Sequence, residues 1–285
     1  MAFLSTSEAF TTRSQHACFG GVQGFYMHDS SAIGLPMRFS VYQPPQAAHG
    51  SVPVVFFLAG LTCTDETFMV KAGAQRIAAE LGLMLVACDT SPRDIELPGD
   101  RDYWDFGVGA GFYLDATEQP WAKHYRMGSY VLELRELVLK HFSAQAEHVG
   151  IMGHSMGGHG ALTIGLKNPA LFQSVSAFAP IAAPSDCPWG EKAFSHYLGD
   201  DRSSWRAYDA TALVEDGQRT TALLVDQGLD DQFLINQLHP ARFEAACLAA
   251  GQPLTLRRQS GYDHGYYFIS SFIADHLHHH AQLLR

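Results

Sequence analysis

A serine between two glycines is the residue of this sequence whose surroundings best suit chemistry. Residues 153–157 read Gly-His-Ser-Met-Gly, the Gly-x-Ser-x-Gly pattern of a nucleophile elbow. The apolar residues 149–152 predict a strand before it, and residues 160–167 predict a helix after it. A serine hydroxyl is a weak nucleophile until a general base takes its proton. The strand–turn–helix context therefore predicts that Ser155 is a nucleophile exposed on a tight turn.

A nucleophilic serine needs a base, and the base needs an acid that orients it. His264 follows the last predicted strand and is the candidate base. Asp231 lies in a turn after the preceding predicted strand and is the candidate acid, which would hold one tautomer of the imidazole. Asp226 and Asp230 belong to the same stretch and stay open as alternatives, because carboxylates in such turns often only stabilise the turn.

Acyl transfer places negative charge on the carbonyl oxygen, and backbone N–H groups can stabilise that oxyanion. The Met156 N–H, at the start of the helix after the serine, is the first predicted donor. The Leu61 N–H, in the loop 58–62 after an early predicted strand, is the second. His154 and His159 also lie beside the serine in sequence. We expect both to be structural, because a side chain at these positions need not face the hydroxyl.

The elements that must position these residues alternate between strands and helices. Residues 52–58 (VPVVFFL) are continuously apolar, which is typical of a strand buried on both faces of a parallel sheet. A helix over 66–81 and the strand after it would complete a βαβ unit. Antiparallel strands are predicted before this unit, the first beginning at His16. We therefore predict a single α/β domain over 16–285, with a mostly parallel central sheet and helices on both faces, after a flexible segment 1–15.

Composition and charge exclude several classes of protein. The 285-residue chain has a formal charge of −10 and no basic stripe, so nucleic acid is not an expected partner. We find no apolar run of about 18 residues and no signal-peptide pattern, and therefore expect no membrane partner and a cytoplasmic location. The five cysteines lack metal-site or disulfide spacing, so we expect reduced thiols and neither a metal nor a cofactor. The tract 278–280 (HHH) is interpreted as the solvated end of the last helix.

Motifs along nearly the whole chain resemble the S-formylglutathione hydrolase family, also called esterase D, of the α/β-hydrolases. The matching segments run in order: 60–64 (GLTCT), 104–107 (WDFG), 109–113 (GAGFY), 115–117 (DAT), 125–127 (YRM), 153–160 (GHSMGGHG), 187–190 (CPWG), 226–228 (DQG), 230–234 (DDQFL), 261–264 (GYDH) and 266–268 (YYF). The N-terminal fifteen residues and the length of the histidine tract depart from the family's pattern.

This resemblance implies the α/β-hydrolase fold and a serine thioesterase that hydrolyses S-formylglutathione to formate and glutathione, a step of formaldehyde detoxification. It places the family's triad on Ser155, Asp231 and His264, with a formyl-enzyme intermediate. It also implies a homodimer and activity on simple aryl esters of short acids. The residues alone leave the acid open; the resemblance favours Asp231.

The formyl group is very small, so the acyl pocket should be narrow and partly aromatic, with Trp104, Phe106 and Trp189 as candidates. The resemblance also suggests a thiol close to the site, at Cys63, and our hypothesis is that its modification blocks the glutathione tail. Because glutathione carries two carboxylates and this chain is acidic, a local cation should offset the repulsion. The candidate cations are Lys71, Lys123, Arg126 and Lys192.

Three other functions are compatible with parts of this pattern. A general short-chain carboxylesterase would use the same elbow, triad and oxyanion donors. An acyltransferase would pass the acyl group to an alcohol instead of water. A binding protein on a degenerate hydrolase scaffold is disfavoured because all three triad positions and the glycine-containing oxyanion loop are present.

Overall fold

The computed structural model describes residues 9–285, which form a nine-stranded sheet flanked by helices. The strands are β1 (Thr11–Cys18), β2 (Gly21–Asp29), β3 (Pro36–Gln43), β4 (Val52–Leu58), β5 (Met84–Cys88), β6 (Ala144–His154), β7 (Ser174–Phe178), β8 (Leu223–Gly228) and β9 (Leu254–Gln259). The helices are α1 (Thr67–Lys71), α2 (Gln75–Leu81), α3 (Met127–His141), α4 (Met156–Lys167), α5 (Pro188–Tyr197), α6 (Arg202–Trp205), α7 (Ala210–Glu215), α8 (Pro240–Ala250) and α9 (Tyr266–Leu283).

The strand order across the sheet is β1-β2-β3-β5-β4-β6-β7-β8-β9. The pairs from β1 to β5 are antiparallel, and the pairs from β5 to β9 are parallel. β5, β7 and β8 are buried at every position, and β4 is buried at all but one. The predicted α/β-hydrolase architecture, with antiparallel N-terminal strands on a mostly parallel sheet, is confirmed.

The parallel part of the sheet gathers the candidate residues at one edge. β4, β6 and β8 run in the same direction, so the loops after them meet where the strands end. Leu61 follows β4, Ser155 follows β6, and Asp231 follows β8. His264 follows β9, which pairs in parallel with β8. Four loops far apart in sequence therefore contribute to one site.

Two predicted elements have different bounds in the structure. The first strand begins at Thr11 rather than at His16, so the part of the expected flexible segment after residue 10 is paired with β2. Residues 1–8 of that segment lie outside the described residues. The helix predicted over 66–81 is two helices, because the chain turns between them at Gly73, whose φ is +66°. No helix within residues 9–285 is long and apolar enough to cross a membrane.

The histidine tract near the C-terminus is only partly solvated, and the interpretation of it as a solvated helix end is wrong for His280. His278 is exposed and His279 is half-buried, but His280 is fully buried. Its Nδ1 lies 2.6 Å from Ser174 Oγ, and its Nε2 lies 2.9 Å from Ser176 Oγ. Both serines are on β7, so α9 packs this face of the tract onto the sheet.

Candidate active site

Ser155 occupies a strained turn between β6 and α4. Its φ and ψ are 58° and −120°, a backbone conformation that non-glycine residues rarely adopt. The turn is tight, and a Cβ on Gly157 would overlap the carbonyl oxygen of Leu58. The side chain lies in a largely buried position, with 3% of the residue exposed. This is the geometry of a nucleophile elbow, in which strain presents the hydroxyl at the end of the strand.

His264 and Asp231 form a short, buried hydrogen bond. His264 Nδ1 lies 2.5 Å from Asp231 Oδ2, and the Asp231 side chain has no exposed surface. Asp231 Oδ1 accepts a hydrogen bond of 2.8 Å from the Phe233 N–H. Because an ionised carboxylate only accepts, the neutral imidazole must donate through Nδ1. That tautomer leaves Nε2 as the nitrogen able to take a proton.

Gln227, which lies in the matching segment 226–228 but was not predicted as a site residue, is a third partner of this pair. Its Nε2 donates to Asp231 Oδ2 at 3.2 Å and to the Gly228 carbonyl at 3.0 Å. The side chain is fully buried at the end of β8. Asp231 Oδ2 therefore accepts from both Gln227 and His264. The local sequence held no signal for this role, because it depends on how the chain turns back after β8.

Of the three candidate acids, Asp231 is the one that contacts His264. Asp226 is fully buried on β8 and lies 2.5 Å from an Arg257 nitrogen and 3.2 Å from His276 Nε2. Burial alone would raise the pKa of Asp226, but the hydrogen bonds from His276 and Arg257 lower it below its usual range. Asp230 is exposed.

His276 continues a chain of buried polar groups behind the sheet. Its Nδ1 lies 2.9 Å from Ser176 Oγ, the hydroxyl that also contacts His280. Burial lowers the pKa of His276 and lowers that of His280 well below its usual range. Both rings are therefore neutral at physiological pH. Asp226 belongs to this network on one side of β8, not to the pair of Asp231 and His264.

His154 packs directly against the candidate base. The centroids of the His154 and His264 rings are 4.5 Å apart, and His154 is buried. Within the part of the chain that the structure describes, neither ring nitrogen of His154 has a hydrogen-bond partner. Burial, with a smaller contribution from the nearby His264, lowers the pKa of His154 well below its usual range. His154 is therefore a neutral neighbour that shields His264 from water.

The loop after β4 lies directly beside the elbow. A Cβ built on Gly60 would stand 3.3 Å from Ser155 Cβ, which is a tight contact, so glycine favours this close approach of the loop. The Thr62 N–H donates to the Gly109 carbonyl at 2.9 Å and holds the loop. Among residues 9–285, the Leu61 and Met156 N–H groups have no backbone acceptor. Both predicted donors are therefore available to an oxyanion.

Two of the three predicted pocket aromatics belong to a series of rings that reaches His264. Phe233 lies 5.0 Å from the His264 ring, and Trp189 lies 4.7 Å from Phe233, between ring centroids. Trp104 is 57% exposed and meets Trp189 edge-on at 5.6 Å. Phe106 lies elsewhere: its ring packs against Trp121, His196 and Tyr197 beside a separate cavity of about 350 Å³.

Cys63 lies two residues beyond Leu61 and is half-buried. Burial raises the pKa of its thiol, although a hydrogen bond from Thr67 and the charge of Lys71 act in the opposite direction. The thiol is therefore protonated at neutral pH, which lowers its nucleophilicity. The hypothesis that a modified Cys63 blocks the site stays a prediction.

A large cavity in this structure lies away from the candidate catalytic residues. A cavity of about 1000 Å³ in the described part of the chain is lined by none of the three candidate catalytic residues. Its wall includes four arginines. Arg202, Arg206 and Arg242 are each paired with a carboxylate, and Arg219 donates to the backbone carbonyls of Val214 and Ala250. We therefore place the chemistry at the elbow, where the reactive groups converge.

Comparison with known proteins agrees with this geometry. Residues 30–279 match a family model described as "Putative esterase". S-formylglutathione hydrolase of Mus musculus is 53% identical over 275 residues, covering 95% of this chain and 97% of the relative. That of Paracoccus denitrificans is 52% identical over 277 residues, covering 97% and 99%. The solved structure of an S-formylglutathione hydrolase from Agrobacterium tumefaciens superposes with a TM-score of 0.95 at 52% identity, covering 96% of this chain and 100% of the other.

Proposed function

This chain belongs to the S-formylglutathione hydrolases of the esterase family, and on that premise we propose that it hydrolyses S-formylglutathione with Ser155, His264 and Asp231 as its catalytic triad. The observation that carries the proposal is the 2.5 Å bond between His264 and Asp231 beside the strained turn at Ser155. Three loops supply these groups, so their convergence is not a product of local sequence.

In the first half of the proposed reaction, Ser155 Oγ attacks the formyl carbonyl carbon and His264 Nε2 takes its proton. The carbonyl oxygen becomes an oxyanion, which accepts from the Leu61 and Met156 N–H groups. The intermediate then collapses and the carbon–sulfur bond breaks. Glutathione leaves as its thiol, with the proton from His264, and the formyl group stays on Ser155.

In the second half, a water molecule attacks the formyl ester while His264 Nε2 takes a proton from it. The second oxyanion collapses, the bond to Ser155 Oγ breaks, and His264 returns the proton to the serine. Formate is released. Asp231 stays ionised throughout and stabilises the imidazolium that forms twice in each cycle.

A thioester suits this arrangement because its leaving group needs little help. The reference pKa of a thiol is about 8.5, so a thiolate departs more readily than an alkoxide. The main contribution required of the protein is then to stabilise the oxyanion, and loss of one N–H donor typically lowers kcat about 10²–10³-fold. The aromatic side chains of Trp189, which is buried, and Phe233, which is half-buried, would limit the acyl pocket to small groups.

The test compares S-formylglutathione with an aryl acetate for the wild-type protein and for Ser155→Ala. We expect kcat/KM to be higher for the thioester, and both activities to be lost in the variant. Ser129→Ala, at the start of α3, is the control and should keep both activities. Higher kcat/KM for the aryl ester would instead support a general carboxylesterase, and unchanged hydrolysis by Ser155→Ala would remove this serine from the mechanism.

Two further parts of the proposal concern the cellular context. We propose a cytoplasmic location, because a glutathione conjugate and five thiols within the described residues suit a reducing compartment. We also propose a homodimer, as the resemblance implies. Cell fractionation tests the first. Light scattering on the purified protein tests the second, and a mass of 31.3 kDa would contradict it.

A further inference from the structure

The glutathione part of the substrate must be bound by a protein that repels it. This inference rests on the proposed function, in which the substrate carries two carboxylates and one ammonium. The chain itself has a formal charge of −10. The long-range potential therefore opposes binding, and a cation close to the site is needed to offset it. That cation should carry a charge which no carboxylate of the protein already neutralises.

Two cations in the segments around the site are already paired. Arg93 lies 2.7 Å from Asp89, and Lys192 lies 2.8 Å from Asp105. Lys71, the last residue of α1, differs: in the portion of the chain that the structure describes, it forms no ion pair. It is exposed. Lys123 and Arg126 are also exposed and form no ion pair within residues 9–285, but Lys71 is the predicted cation whose contacts lead to the candidate catalytic residues.

Lys71 borders the candidate catalytic residues through a short series of contacts. Its Nζ lies 5.8 Å from the centroid of the Tyr266 ring. That ring lies 6.1 Å from His154, which packs against His264 at 4.5 Å. The Lys71 charge also acts on the Cys63 thiol, two residues beyond the predicted oxyanion donor. The ammonium is therefore on the rim of the site, at a distance that suits the tail of a substrate rather than its reacting carbon.

The helices that carry Lys71 and Tyr266 also expose large apolar and aromatic side chains. Val70 is 71% exposed and Tyr267 is 88% exposed, although both are apolar or aromatic. They flank Lys71 and Tyr266 in sequence, one on α1 and one on α9. A cation on a surface that also exposes apolar side chains can bind a carboxylate and the methylene groups next to it.

We propose that Val70, Lys71, Tyr266 and Tyr267 form a carboxylate-binding subsite, the Lys71 subsite, which holds a carboxylate of the glutathione tail through the Lys71 ammonium. The contact is remote from the reacting carbon, so it is the same in the ground state and the transition state. Its loss should raise KM and leave kcat nearly unchanged.

The experiment uses Lys71→Gln, Lys71→Arg and the control Lys140→Gln, which removes the same charge from the exposed end of α3. We expect Lys71→Gln to raise KM for S-formylglutathione about fivefold and Lys71→Arg to restore most of the loss. KM for a neutral aryl acetate should not change in any variant. An equal rise in KM for both substrates would mean a structural role, and unchanged KM for S-formylglutathione would overturn the proposal.

A second measurement separates the subsite from the proposed function. Glutathione should inhibit aryl acetate hydrolysis competitively, and the inhibition constant should rise about fivefold in Lys71→Gln. Glutathione with both carboxylates esterified should inhibit wild type and Lys71→Gln equally. This measurement needs no turnover of S-formylglutathione, so it holds even if that activity is absent. Equal inhibition of both proteins by free glutathione would overturn the subsite.

Discussion

Acid should destabilise this fold through His159, a buried histidine on α4. Its Nε2 lies 2.9 Å from the Phe112 carbonyl oxygen, so the neutral ring donates through Nε2–H. Its Nδ1 is buried and has no partner within residues 9–285. Burial is the main cause that lowers the pKa of His159 from 6.5 to about 4. A proton on Nδ1 would place an unpaired charge in the core.

The size of the effect follows from proton linkage. Between about pH 6.5 and about pH 4 the unfolded chain takes up a proton at this residue, and the folded chain does not. The contribution of His159 to stability is therefore complete above about pH 6.5 and decreases as the pH falls. Each pH unit in this range changes the free energy of unfolding by about 1.4 kcal/mol. The total loss is about 3 kcal/mol by about pH 4.

Urea unfolding of wild type and His159→Gln measures this term. The glutamine amide can still donate to the Phe112 carbonyl, but it does not titrate. We expect the variant to be less stable than wild type at about pH 7, by about 1 kcal/mol because packing is lost, and more stable than wild type at about pH 4.5. His278→Gln, at an exposed position, should show no such reversal. A difference between wild type and His159→Gln that stays constant with pH would refute the reasoning.

Other predictions concern the acids and their partners. Asp231→Asn should lower kcat about 10³–10⁴-fold because it favours the wrong tautomer of His264. Asp226→Asn should keep kcat and lower the free energy of unfolding by about 1–3 kcal/mol. Steady-state kinetics and urea unfolding distinguish the two variants, and a reversed pattern would reassign the acid. Gln227→Leu removes a donor to Asp231, so the carboxylate becomes more basic and the acid limb of the kcat/KM–pH profile should move to higher pH. Gln259→Leu, whose amide contacts Asp226 instead, should leave the profile in place.

The arrangement of the sheet could be predicted from sequence because buried strands are continuously apolar. β4 and β5 carry this signal, and because they are parallel the loops after them meet at one edge. The start of β1 was not predicted because none of its eight residues is buried: six are exposed and two are partly exposed, so the strand shows no apolar alternation. Its position depends on pairing with β2, which only the folded chain defines.

The role of a site residue could be predicted from sequence where a motif assigns it, and not where it depends on a contact that forms in the folded chain. Ser155 and His264 lie in recognisable segments, and their positions relative to strands indicated a shared site. Gln227 contacts Asp231 only because the chain folds back after β8. The burial of His280 depends on which face of α9 meets β7, and a run of three histidines does not indicate that face. The separation of Phe106 from the aromatic series near His264 likewise depends on the path of a long loop.

The buried chain of Ser176, His276 and Asp226 repeats the chemical composition of the proposed triad, in the same order along the sequence. The identities of the three residues therefore do not distinguish this buried chain from the proposed triad. The two histidines have opposite tautomers: His264 donates to its carboxylate through Nδ1, and His276 through Nε2. The ¹⁵N chemical shifts of the two imidazoles should therefore differ. This difference would distinguish His264, in the proposed triad, from His276, in the buried chain.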